Sequence, residues 1–297
     1  MIKKIFILSL FFILCHGLAE AGQGILAVQS IRVAPYEEAI KGFQSACNVK
    51  LQRLVISDLE GRDVVKKIRE IRPDLVLAIG MDALLRVKRI KNIPIVYLMV
   101  LNSQSTLAGE NITGVSMNIP QEKQLTALLQ ILPDLKNIGL LYDPDRTGHL
   151  AKSAQDAAGK TGIKLIACEI HSSKDVSSLI INMQEKIDLF WMIPDLTVIT
   201  PETVEFLLLF SLENQIPLLA FSDKYVELGA LLSIGIDPFD IGRQAGEMAK
   251  KILSGRDVRN VQQVDARKAI ISVNLKIARK LGMNIDEKTI RKVKIVN

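Results

Sequence analysis

Short aliphatic runs alternate with longer amphipathic segments along most of this chain, and that alternation limits its fold more than any other feature. Strands separated by helices of roughly 10–15 residues form βαβ units around a parallel sheet. Strands are expected over residues 24–29, 50–56, 74–79 and 93–100, with helices over 35–46, 61–71 and 81–90 between them. The same order then returns, with strands over 136–142, 163–169, 187–193 and 216–221 and helices over 147–160, 174–185 and 201–214. The offsets are nearly constant: 115 from Gly24 to Gly139, 114 from Val49 to Ile163, 114 from Asp74 to Asp188, and 123 from Ile93-Pro94 to Ile216-Pro217. A longer helix in the fourth unit of the second half accounts for the last value. Four matching elements in one order imply two similar lobes.

The remaining segments join the halves. Residues 114–118 lead out of the first lobe into a helix over 121–132. A strand over 230–236 is followed by Asp237-Pro238, an N-cap and an N1 proline, which open a helix to about 253. Gly255 ends it, and a strand over 269–273 and a helix over 275–281 follow. The expected architecture is α/β: two Rossmann-like lobes with parallel sheets joined by a hinge. Lobe 1 takes residues 22–116 plus about 238–258, and lobe 2 takes 117–237 plus about 259–297. The hinge strands are placed near 115–118, near 235–238 and between 259 and 267.

Residues 1–21 read as a cleavable signal peptide: Lys3 and Lys4, an apolar run over 5–14, then Ala19-Glu20-Ala21. The run is too short to span a bilayer, which takes about 20 residues. Lipid anchoring through Cys15 is the alternative, but Leu14 is bulky where a lipobox has a small residue. No later segment is apolar for long enough to span, so the mature chain is expected to be soluble, and the cleavable signal peptide makes the expected location periplasmic or otherwise extracytoplasmic.

The formal net charge is +6, and its basic residues are spread along the chain. That pattern reads as solvated helix faces. Nucleic-acid binding calls for a concentrated basic face with aromatic platforms, and neither is visible. Cys47 and Cys168 fall in different lobes and are expected to be free, mostly buried thiols. With no CxxC pair and only His149 and His171 beyond the leader, no zinc site is expected. No Walker A loop and no Gly-x-Gly-x-x-Gly is present, so no cofactor is expected.

Parallel α/β sheets bind ligands beyond the carboxyl ends of their strands. Lobe 1 would offer Gln29, Ser30, Ser57, Gly80, Met81 and Asn102 there; lobe 2 would offer Asp143, Asp145, Arg146, Thr147, Asp195, Phe221 and Asp237. Helices begin just after many of these positions, and free N–H groups at helix starts suit a carboxylate. Asp143-Pro144-Asp145 reads as a turn and N-cap in preference to a metal pair. Asp195 either grips an ammonium group or caps the helix region near Pro201. His171 has no Gly-x-Ser-x-Gly elbow beside it, so catalysis is not expected.

Together, Asn111-Ile112-Thr113-Gly114-Val115-Ser116, Glu122-Lys123-Gln124-Leu125, Ile138-Gly139-Leu140-Leu141-Tyr142, Asp195 with Thr197-Val198, Gly229-Ala230-Leu231, Gly242-Arg243-Gln244-Ala245-Gly246 and Val273-Asn274-Leu275 resemble a known family. It is that of the substrate-binding proteins of tryptophan/tyrosine-type ABC transporters, of the type I periplasmic-binding-protein superfamily. The resemblance implies a monomeric, non-catalytic protein that closes on a small polar solute, an amino acid or aromatic amino acid. It implies delivery to an ABC permease with its ATPase, which is then the only contact with the membrane. In such relatives the loop after Tyr142 helps hold a carboxylate with Asn-Pro; here it reads Asp143-Pro144-Asp145-Arg146-Thr147. Their Asp-Asn pair is Asp195-Leu196, and their Ser-Asp-Thr-Asp run is Phe221-Ser222-Asp223-Lys224. Phe221 either stacks on an aromatic ligand or, the favoured reading, sits in the core. The other functions kept open are a binding module that reports to a signalling protein and an exported α/β enzyme.

Overall fold

A computed structural model of the chain describes residues 24–59, 63–101 and 109–296. The expected leader and Asn102 lie outside the described residues. The order begins β1 (Ile25–Gln29), α1 (Ala34–Ala46), β2 (Leu51–Val55), α2 (Val64–Ile71), β3 (Leu75–Ile79), α3 (Met81–Val87), β4 (Ile95–Val100) and β5 (Ile112–Ser116). It continues with α4 (Gln121–Ile131), β6 (Asn137–Tyr142), α5 (Pro144–Thr161), β7 (Lys164–Glu169), α6 (Val176–Met183), β8 (Leu189–Trp191), α7 (Pro201–Asn214), β9 (Leu218–Ala220), α8 (Asp223–Leu228) and β10 (Leu232–Ile236). The last elements are α9 (Pro238–Leu253), β11 (Val264–Asp265), β12 (Ala269–Asn274), α10 (Leu275–Lys280), α11 (Glu287–Ile290) and β13 (Lys294–Val296).

The chain divides into two compact units, and it passes from one to the other after Ser116, after Asp240 and after Val264. The first unit holds a six-stranded sheet in the order β11-β5-β4-β3-β1-β2. The second holds seven strands in the order β13-β12-β10-β9-β8-β6-β7. Counted within each half, both contain the winding 2-1-3-4-5, which reverses direction between β1 and β3 in one unit and between β6 and β8 in the other. Their pairings are parallel. The sheets are mostly parallel, as expected, with an antiparallel pair in the second unit. β12 pairs antiparallel with β10, because it is fed by the returning third crossing and not by a helical crossover.

The duplication is visible in hydrogen bonds as well as in spacing. Asp74 accepts the Gly24 amide at 3.0 Å, and Asp188 accepts the Asn137 amide at 2.7 Å. Each of these aspartates stands just before the central strand of its half and fixes the start of the strand beside it. The Val76 amide donates to the Pro94 carbonyl and the Phe190 amide to the Pro217 carbonyl. The strand registers pair Ile25 with Leu75 and Ile138 with Leu189. Gly24 therefore corresponds to Asn137, and the Gly24–Gly139 match drawn from sequence is two residues out of register.

Each core lies against its own sheet. In the first unit Leu26, Val28, Ile68, Val76, Leu84, Ile95 and Tyr97 form one apolar cluster. In the second, Leu141, Ile180, Phe190, Leu207, Phe210 and Leu218 form another. The amphipathic helices follow from caps and stops as much as from periodicity. Asp63 caps α2, Asp143 with Pro144 opens α5, Thr200 and Thr203 build a reciprocal capping box on α7, and left-handed Gly162 ends α5. Helix α9 lies on α1 at close range: a Cβ on Gly242 would stand 1.8 Å from the Ala39 carbonyl oxygen, and one on Gly246 2.6 Å from that of Phe43. Only glycine permits that approach.

Candidate solute-binding rims

In the first unit the reversal of winding brings the ends of β1 and β3 together with the starts of α1 and α3. Gln29, Ser30, Gly80 and Met81 meet there, and just past the end of β2 the Ser57 amide donates to the Ser30 carbonyl at 3.3 Å. Gln29 is buried and committed: its amide nitrogen donates to the Ile31 carbonyl at 2.7 Å and to Glu37 at 3.3 Å, and its oxygen accepts Arg53 at 2.8 Å. Arg53 also bonds Glu37 at 2.6 Å, and this guanidinium holds the Glu37 carboxyl below its ordinary range. Ser30 donates to the Ile79 carbonyl and accepts the Ala83 amide, fastening α3 to β1. Met81 is half-buried and packs on the apolar cluster. Ser57 is exposed and donates to Asp58, which pairs with Arg32.

Gly80 has φ +89°, and a Cβ there would lie 2.4 Å from the Tyr36 hydroxyl oxygen and 2.7 Å from Ser30 Oγ. Tyr36 thus belongs to this rim although its sequence position reads only as part of an amphipathic helix. Burial pushes its phenol above the ordinary range.

In the second unit the same reversal gathers Asp143, Asp145, Arg146, Thr147 and Asp195. Asp195 is 1 % exposed. One of its oxygens accepts the Thr197 amide at 2.8 Å and the Val198 amide at 3.2 Å; the other accepts the Asp143 amide at 2.8 Å and the Thr147 hydroxyl. That carboxylate is committed to joining the ends of β6 and β8. Asp143 is 7 % exposed and caps α5 through the Asp145 amide, while its other oxygen accepts the Thr197 hydroxyl at 2.6 Å. The Thr197 hydroxyl, with the Asp145 amide and the nearby Arg146 and His171, holds the Asp143 carboxyl below its ordinary range against the opposing pull of burial. Atoms of Asp143, Asp145 and His171 fall within 4.8 Å of one another. The spacing fits a cation, yet both Asp143 oxygens already have partners, Arg146 among them at 3.5 Å.

The exposed part of this rim is Asp145, Arg146, His171 and the apolar Leu196, which is 76 % exposed on a turn pinned from both sides by Asp195 and Thr197. Two expected contacts lie at other strand ends. Phe221, half-buried after β9, packs on the core with its ring 5.0 Å from that of Tyr225. Asp237, after β10, accepts the Asp240 amide at the start of α9 and pairs with Lys268 at 2.7 Å. Cys47 and Cys168 are free, the first buried and the second half-buried. Among the described residues no helix is long and apolar enough to cross a membrane.

The chain is 25% identical over 255 residues to a tyrosine-binding protein of Clostridioides difficile (strain R20291), covering 82% of this chain and 73% of that protein. Two solved structures share its fold. A ligand-free, open substrate-binding protein with adhesive properties from Clostridium difficile has a TM-score of 0.75 at 24% identity, over 92% of this chain and 98% of that one. A Streptococcus pneumonia ABC domain in complex with L-Trp has a TM-score of 0.63 at 21% identity, over 92% and 99%. A family profile described as ABC transporter substrate binding protein matches residues 56–296. With that match over most of its length, and two wound sheets of the same design, the chain belongs to the ABC transporter substrate binding protein family.

Proposed function

We propose that this chain is the exported solute-binding component of an ABC importer and that its solute is an aromatic amino acid, with L-tyrosine the first candidate. The observation that carries the reading is a pair of equivalently wound sheets, each with a polar rim at its winding reversal, in a member of this family. Winding reversals are where open α/β sheets take ligands. The tyrosine-binding relative and the L-Trp complex support the aromatic class. So does Leu196, which presents apolar surface amid polar groups.

The chemistry is capture without bond breaking. The Asp143–Thr147–Asp195–Thr197 set is closed upon itself, which holds a shape and leaves no activated nucleophile. A solute that engages both units favours the closed arrangement by its differential affinity for it. The loaded monomer then docks on a permease driven by its ATPase, on the far side of the membrane from the cytoplasm.

The test is the melting temperature of the purified chain against the common amino acids, amines and sugars. L-tyrosine or L-tryptophan at roughly 100 times its Kd is expected to add about 2.7 kcal/mol of stability. A panel in which no amino acid shifts the transition, or in which only sugars do, rejects the reading.

A further inference from the structure

We propose that the Tyr36 hydroxyl is a solute contact of the first unit, donating a hydrogen bond to an acceptor oxygen of the captured molecule. The inference rests on the solute-capture reading and adds to it a residue with a stated role. Three features of the rim lead to it. First, its other polar side chains at the winding reversal are already engaged: Gln29 with Ile31, Glu37 and Arg53, and Ser30 with Ile79 and Ala83. Second, among the described residues no group bonds the Tyr36 hydroxyl, although the residue is half-buried and its phenol is shifted by burial alone. Because the residue is only half-buried, a solute can reach this hydroxyl and offer it an acceptor oxygen. Third, the backbone makes room for it. Gly80 adopts φ +89° and lacks the Cβ that would stand 2.4 Å from the hydroxyl oxygen. The phenol therefore lies over the end of β3, where its sheet changes winding direction. A tyrosine phenol carries its proton at neutral pH, so the hydroxyl can act as donor.

The experiment compares wild type with Tyr36→Phe, which keeps the ring and its packing and removes one oxygen. Titration calorimetry with L-tyrosine and with L-tryptophan is expected to show Tyr36→Phe binding about 3- to 10-fold more weakly, with the solute-free melting temperature unchanged. In protein carrying 13Cζ-labelled tyrosine, the resonance missing from Tyr36→Phe is expected to move when solute is added to wild type. If wild type binds and Tyr36→Phe binds equally well, the inference is overturned and the capture reading stands. If wild type binds neither amino acid, the aromatic reading fails and this contact fails with it.

Discussion

A buried aspartate with four donors is a demanding residue, and Asp195 shows how demanding. An Asn in its place fits the same space and still accepts the Thr197 and Val198 amides with its carbonyl. Its NH2 group, however, replaces the oxygen that accepts the Asp143 amide and the Thr147 hydroxyl. The hydroxyl can turn and accept; the amide cannot, so two donors face each other in a buried place. Asp195→Asn is therefore expected to lower stability by about 1–3 kcal/mol, read as a lower urea midpoint at unchanged slope. An unchanged midpoint means that the Asp143 amide has another acceptor and that the knot is not what joins β6 to β8. Sequence alone singles out Asp143 and Asp195 as polar strand ends, yet not their mutual engagement. The bond joins positions 52 apart, and no local pattern encodes such a partner. Tyr36 stayed hidden for the opposite reason: a tyrosine inside a helical pattern reads as surface, and only the fold sets it against Gly80.

Elements were easier to read than partners because periodicity and caps are local. Strands with wholly buried patterns, such as β1, β3 and β4, stand out as aliphatic runs. Short elements without such a run do not: α8, α11 and β13 carry too few positions to show a period and are not wholly buried. β13 in particular is held by an ion pair from Lys294 to Asp223 at 2.7 Å, a tertiary contact across 71 positions. The glycines of α9 were legible as a motif and not as a mechanism. Their role is the backbone contact with α1, which leaves no volume for a methyl group. Gly242→Ala would raise helix propensity by roughly 1 kcal/mol in an isolated helix. Against that stands a Cβ 1.8 Å from the Ala39 carbonyl, an overlap that forces the helices apart. Overpacking of this kind costs typically 1–3 kcal/mol, and here the obstacle is backbone, which cannot rotate away. Net destabilisation is expected in denaturant titration, larger than for Gly159→Ala, where nothing stands within 4 Å. Equal or greater stability of Gly242→Ala shows that the two helices slide apart without loss.

At the scale of the whole chain, the three crossings make the two units unequal partners in unfolding. When the second unit is unfolded, the first must hold its ends together across residues 117–240, a loop of 124 residues. When the first is unfolded, the second spans only residues 241–264, a loop of 24. Loop-closure entropy grows as (3/2)RT times the logarithm of length, so the longer loop costs about 1.5 kcal/mol more. For two units of the same winding, that difference favours loss of the first unit before the second. Trp191 is the single tryptophan, and it is buried in β8 of the second unit. Its fluorescence therefore reports one unit, while far-UV circular dichroism reports both. In urea without solute, the fluorescence midpoint is expected at or above the dichroism midpoint. If, as proposed, solute binds only when both units are folded, saturating L-tyrosine is expected to bring the two midpoints together. A fluorescence midpoint clearly below the dichroism midpoint places the weaker unit second, and the loop asymmetry is then outweighed by a difference between the cores themselves.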